Sequence, residues 1–338
     1  MGRGCAPPGS PFWIPHPGGV PEGSRWLRPS AGATTGGVTT FCLVLLAAAL
    51  LAACFGQEER PAEEGDNRRG SGPQAGKTIG AGGVEIGYTL YGEGDTLLVL
   101  APGWGGSQAD WSSQVDDLAQ RYTLVTLDFG GHGASGRRGR ADIAALARDL
   151  GAVLDAVSAK KAILVGHGLG GLAALEAARE KPAAVGAVIG VTAFTWPPPQ
   201  PATWSELLGQ LAADFPGACR TYVRGLFSVT TEEPLVDEMA EQVCRLDPDL
   251  ASSLLASQST YDLGKALAAL PPSLPVRAIE ASEEAEPPPL PTAEPQQKFH
   301  ADYRSSQIAR SGRYPMFEQS AELTRQLAAA IEEIDARP

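Results

Sequence analysis

The residues best spaced to do chemistry lie in Gly166-His167-Gly168-Leu169-Gly170-Gly171. A Gly-x-X-x-Gly turn between a strand and a helix holds its middle residue in a strained backbone conformation and thrusts that side chain outward. A serine at the centre would attack a carbonyl carbon. The centre is Gly168, which offers no nucleophile. Other reactive types are scattered. His16, His132, His167 and His300 and the five cysteines show neither Cys-x-x-Cys nor His-Glu-x-x-His spacing, so no metal and no cofactor is expected. His167, beside Gly168 on the strand end, is expected to point away from it as a packed or hydrogen-bonded structural residue. His132 reads the same way within a glycine-rich loop, and His300 precedes the last strand. Ser107 and Ser135 lie in loops near strand ends as reserve nucleophiles, neither with a recognisable base.

Positioning such a turn takes a buried strand before it and a helix after it. Residues 162–165 are a branched apolar run, and a helical stretch begins at Leu172. The same alternation extends along the chain. Strands are expected at 83–91, 96–101, 122–127, 185–191, 275–281 and 303–309. Helices are expected at 110–120, 142–157 and 318–334; in the second, Ile143, Leu146, Leu150, Val153 and Leu154 share one face. Alternating strands and helices imply an α/β fold with right-handed parallel crossovers and a ligand site beyond the carboxyl ends of the strands. Residues 196–201, Trp-Pro-Pro-Pro-Gln-Pro, break the rhythm, and 204–255 is helical throughout, a cap over the sheet. Cys219 and Cys244 both fall in this insertion and are expected to form a disulfide, stabilising the cap by roughly 3 kcal/mol.

The chain has 338 residues, 43% of them hydrophobic, and a net charge of −12. That supports one large domain with appendages, or two domains at most, and argues against nucleic acid as a partner. Residues 1–53 read as a leader: a Pro/Gly/Ser-rich stretch, then an apolar run from Phe41 too short to span a bilayer and suited to a signal peptide. The run ends Leu51-Ala52-Ala53-Cys54, which resembles the lipobox of bacterial lipoproteins. The resemblance implies acylation of Cys54, a membrane anchor, and a location in the bacterial cell envelope facing away from the cytoplasm. Residues 54–77, charged and carrying Gly and Pro, read as a tether. The folded part then divides into a first core segment (78–194), the cap (195–265) and a second core segment (266–338).

Four segments together resemble the α/β-hydrolase superfamily: Pro102-Gly-Trp-Gly-Gly106, Asp128-Phe-Gly-Gly-His-Gly133, Gly166-His-Gly-Leu-Gly-Gly171 and Gly312-Arg-Tyr-Pro-Met-Phe-Glu318. The resemblance implies a mostly parallel central sheet flanked by helices, with a helical cap between the sixth and seventh strands. It places the nucleophile at Gly168 and the histidine base at Arg313. The acid falls at Glu280, Glu283 or Glu284, and the oxyanion-hole N–H groups belong to Trp104 and Leu169. Pro102-Gly103 stands where the family often has His-Gly. Arginine keeps its proton at working pH and cannot serve as a general base there. Losing two triad members costs orders of magnitude in rate. The expected protein is therefore a non-catalytic lipoprotein that binds a small ligand, acidic or acyl, or a protein partner. The alternatives are a genuine ester hydrolase using other residues and a purely structural envelope protein.

Overall fold

The structure, a computed structural model, describes residues 72–194, 201–284 and 295–337. The leader, Cys54 and the tether up to residue 71 lie outside the described residues. Eight strands form one sheet: β1 (Gln74–Ile79), β2 (Glu85–Tyr91), β3 (Leu97–Ala101), β4 (Thr123–Leu127), β5 (Ala162–His167), β6 (Val185–Val191), β7 (Val276–Ser282) and β8 (Tyr303–Ala309). Their order is β1-β2-β4-β3-β5-β6-β7-β8. β2 is antiparallel to both its neighbours, and every later pairing is parallel. Every residue of β5 is buried, as a strand covered on both faces requires.

Helix α1 (Ser112–Leu118) carries the chain from β3 to β4, and α2 (Ile143–Ala156) carries it back from β4 past β3 to β5. Right-handed crossovers in opposite directions put these helices on opposite faces of the sheet. There α2 packs against α3 (Leu169–Glu180), and α1 against α10 (Ser320–Asp335). The face expected on α2 is the one buried: Ile143, Leu146, Leu150, Val153 and Leu154 are all in the core. Asp142 starts α2 by accepting a hydrogen bond from the Ala145 N–H at 2.7 Å.

The α/β architecture with a mostly parallel sheet agrees with the sequence reading, and three details differ. The sheet begins at Gln74, inside the stretch expected to be tether and before the first expected strand at 83–91, because β1 pairs antiparallel with β2 from Gln74 opposite Leu90 to Ile79 opposite Glu85. Its side chains are mostly exposed, so no apolar alternation marked the strand. The expected helix 110–120 splits into a 3-10 turn at Gln108–Trp111, capped by Ser107, and α1. The last helix is preceded by a separate short one, α9 (Pro315–Glu318).

Between β6 and β7 lie α4 (Pro201–Ala213), α5 (Phe215–Arg224), α6 (Glu233–Val243), α7 (Pro248–Ser259) and α8 (Leu263–Ala268). A disulfide joins Cys219 on α5 to Cys244, the residue that ends α6. Asp214, Asp247 and Asp262 accept bonds from the first turns of α5, α7 and α8. Sequence periodicity gave no hint of one buried ion pair. Arg138 and Asp149 meet through two bonds, at 2.6 and 2.9 Å, with Asp149 also accepting from the N–H groups of Ala81 and Gly130.

Candidate functional site

The carboxyl ends of β3, β5, β6, β7 and β8 open toward one edge, and each delivers a loop of the site. At the end of β5, Gly168 adopts φ 48° and ψ −115° as α3 begins. That left-handed φ is strained for any residue with a Cβ and open to glycine. The surrounding glycines have a different reason to be there. A Cβ at Gly166 would run into the main chain of Gly170 and Gly171, one at Gly170 into the carbonyls of Pro102 and Ala101, and one at Gly171 into Ala193. At Gly168 a Cβ would meet nothing within 4 Å. Packing therefore fixes three glycines, and only backbone conformation favours the fourth.

Trp104 lies in the loop after β3, and Leu169 is the first residue of α3. Neither main-chain N–H bonds to a protein acceptor among the described residues. One donor at a helix start and one from the loop after the neighbouring strand are the parts of an anion- or carbonyl-binding cradle. The Trp104 side chain faces the cap: its indole N–H donates to the Ala251 carbonyl of α7 at 3.0 Å, and its ring meets Tyr222 of α5 edge-on at 5.7 Å. Gly105, at φ 68°, presses against Val243 at the end of α6, where a Cβ would clash. The loop that carries the cradle is thus built into the underside of the cap.

His167 is structural, as expected, but it sits between the loops of the site. Its Nε2 donates to the Arg313 carbonyl at 2.8 Å, a carbonyl being able only to accept. The Nδ1 lone pair has no partner, and the ring fills the space a side chain at Gly103 would need. Burial pulls its pKa down to about 4, so the ring is neutral. His132 bonds the Gly130 carbonyl, and His300 bonds the Leu274 carbonyl before β7, at the end of the sheet remote from Gly168.

Arg313 follows β8. Its guanidinium donates to the Thr192 carbonyl at 2.7 Å, and the Thr192 hydroxyl donates back to the Arg313 carbonyl at 3.1 Å. Thr192, buried just after β6, holds φ 47°. A β-branched residue there is a genuine outlier, costing about 1–3 kcal/mol and held by its surroundings. Sequence reasoning missed it; no residue type announces a strained threonine. Among the acid candidates, Glu280 feels the Arg313 charge. Its carboxylate accepts from the Phe194 N–H at 3.0 Å, and burial raises its pKa while Arg313 and that N–H partly offset the rise. Glu283 instead takes a bond from Ser228 in the cap, and Glu284 is exposed.

The reserve nucleophiles serve the fold. Ser107 caps the 3-10 turn, and Ser135 donates to the Asp128 carbonyl at 2.6 Å while accepting from the Gly87 N–H. Asp110, which the sequence did not flag, is 3% exposed beside this loop and bonds the Ser107 N–H and Gln242 of α6. Desolvation raises its pKa to about 6. Glu318 clamps the post-β8 loop to the cap, accepting from the N–H groups of Ser228 and Tyr314 and from Thr231.

Known proteins share this architecture. A sequence profile described as alpha/beta hydrolase fold matches residues 96–262. The pimeloyl-[acyl-carrier protein] methyl ester esterase of Klebsiella pneumoniae (strain 342) is 31% identical over 199 residues, 55% of this chain and 76% of the esterase. Other bacterial relatives match over less: the chain spans 38% to 44% of the length of three of them, at 36% to 37% identity. Among solved structures, an esterase from Exiguobacterium antarcticum superposes with a TM-score of 0.67 at 18% identity, covering 76% of this chain and 98% of that one. An enol-lactonase from Burkholderia xenovorans LB400 gives 0.65 at 18%, covering 76% and 100%. At those identities the structures speak for the fold alone. The esterase match over most of its length, on a sheet of this order, goes further: the chain belongs to the alpha/beta hydrolase fold family.

Proposed function

We propose that this chain is a non-catalytic member of its family, holding a small acidic or acyl ligand, or a protein partner, where a relative would carry out attack. Gly168 carries the reading. The strained turn, the packed glycines around it and the two main-chain donors are kept, while the atom that would attack is absent. Arg313 adds to it. Its guanidinium is bonded to Thr192, and a group that never gives up its proton cannot relay one. The second reading, a hydrolase of an ester or related bond working through other residues, draws on the esterase among the relatives.

A fluorophosphonate probe and a panel of activated esters distinguish the two. The natural chain should neither label nor turn over, and Gly168→Ser combined with Arg313→His should gain both. Labelling or turnover by the natural chain, surviving removal of contaminating enzymes, overturns the reading. We propose that the protein sits in the bacterial cell envelope facing away from the cytoplasm, anchored to a membrane by lipid on Cys54; the Cys219–Cys244 disulfide supports an oxidising compartment. Metabolic labelling with palmitate should mark the natural chain and not Cys54→Ala.

A further inference from the structure

The end of the sheet remote from Gly168 holds a cavity of about 680 Å³. It lies where β1, β3 and β4 begin, with Gln74, Leu97 and Thr123 in its wall. Ile86, Tyr88 and Leu90 alternate onto one face of β2. Ile86 is fully buried, whereas Tyr88 and Leu90 are half-buried and line the cavity beside Ala156, where α2 stops. Tyr88 stands opposite Gly76 across the β1–β2 pair, and its phenol lies over that glycine. A Cβ at Gly76 would sit 2.3 Å from Tyr88 Cζ and 2.6 Å from the hydroxyl oxygen. Helix α2 ends with the N–H groups of Ser158 and Ala159 donating to the carbonyls of Asp155 and Leu154, an arrangement that ordinarily puts glycine where Ser158 is. Ser158 holds φ 52°, strained for a residue with a Cβ. Glycine would relieve that strain; a hydroxyl stands in the cavity wall instead.

The polar groups of this wall are uncommitted. The Tyr88 and Ser158 hydroxyls, the Lys160 ammonium and the Asp95 carboxylate form no side-chain hydrogen bond or ion pair among the described residues. Lys160 follows α2 and Asp95 lies in the turn between β2 and β3, so opposite charges border one cavity without pairing with each other. The chemistry that fits is an anionic group for Lys160 and the hydroxyls, a cation for Asp95 and an apolar body for Leu90 and Leu97. The volume is that of a small-molecule site. The chain arriving from Cys54 enters the sheet at Gln74, in the wall of this cavity, so a membrane anchor leads here and not to Gly168. Resting on the envelope placement above for where the ligand is met, we propose that this cavity holds the headgroup of a membrane glycerophospholipid bearing a primary amine. Its phosphate lies against Lys160, Tyr88 and Ser158, its ammonium against Asp95, and the start of an acyl chain on Leu90 and Leu97. Gly168 then faces away from the bilayer.

The test is calorimetry on the full chain carrying Cys54→Ala, with dihexanoyl phosphatidylethanolamine below its micelle concentration, so that neither the anchor nor a bilayer contributes. Lys160→Gln and Asp95→Asn should each weaken binding at least about threefold, the scale of an exposed ion pair. Both residues are exposed and unpaired, so neither thermal midpoint should move by more than about a degree. Lys265→Gln, on α8, should change nothing. Dihexanoyl phosphatidylglycerol, which lacks the amine, should bind more weakly than the ethanolamine lipid and be insensitive to Asp95→Asn. Phosphoethanolamine alone should bind more weakly still. Equal affinity for the two lipids overturns the amine, and phosphoethanolamine binding as tightly as the lipid overturns a membrane source. Lipid affinity unchanged by both site variants, or no lipid binding at all, overturns the site. Palmitate labelling of the natural chain tests the envelope placement separately, since the calorimetry does not depend on Cys54.

Discussion

Gly168 and Gly170 stand two residues apart and are glycine for unrelated reasons. At Gly170 the obstacle is the Pro102 and Ala101 carbonyls, which cannot move without shifting β3 and the loop that carries Trp104. At Gly168 there is no obstacle, only a φ of 48°. We therefore expect Gly168→Ser to cost about 1–2 kcal/mol of stability. Gly170→Ala should cost more, about 3 kcal/mol, or abolish folding. Denaturant unfolding of the two variants checks the order, and equal losses would mean that the space at Gly168 is not open. The glycine run was plain in the sequence. Which glycine packing demanded and which it merely tolerated was invisible, because that depends on strands far away along the chain.

The cap holds the loop that follows β3. Through Trp104 to Ala251, Gly105 against Val243, and Asp110 to Gln242, three residues of the post-β3 loop are held by α6 and α7. The Cys219–Cys244 disulfide closes a loop of 25 residues around α5 and α6 and limits how far the end of α6 can move. Replacing both cysteines by serine should lower stability by about 3 kcal/mol, the loop-entropy value for that span. Because the end of α6 rests on Gly105, tryptophan emission should shift with the loss, reporting a looser Trp104. A destabilised variant with unchanged emission would separate the disulfide from the loop. The helical insertion and the thiol pair were legible in sequence. The packing of the insertion on the Trp104 loop was not, because it joins segments more than a hundred residues apart.

For the whole molecule, two buried groups set opposing acid responses. Asp110 titrates near 6 when folded, above its ordinary 3.8, so its protonated form fits the fold better. Its contribution is complete below about pH 4 and is lost as the pH rises through 6. His167 titrates near 4, below its ordinary 6.5, so its neutral form is favoured, and its contribution is lost as the pH falls from 6.5 through 4. Each shift is worth about 3 kcal/mol, over nearly the same window and with opposite sign. Relative to wild type, Asp110→Asn should lose stability on acidification from pH 6.5 to 4, and His167→Gln should gain it. Thermal midpoints across that range decide the matter; matching profiles in the two variants would refute the assignment.

The sequence by itself determined the α/β alternation, the helical insertion, the glycine turn and the absence of a hydroxyl at its centre, because these are local matters of period, composition and side-chain identity. It offered three glutamates without choosing among them and gave no sign of β1, whose exposed, polar face has no apolar pattern to read. Tertiary structure alone brought Glu280 into the field of Arg313, held Thr192 at positive φ, and stacked Tyr314 on Phe227 of the cap. Those facts depend on how five strand ends and a cap converge. Residues that meet only after the sheet closes carry no spacing in the chain by which they could be found.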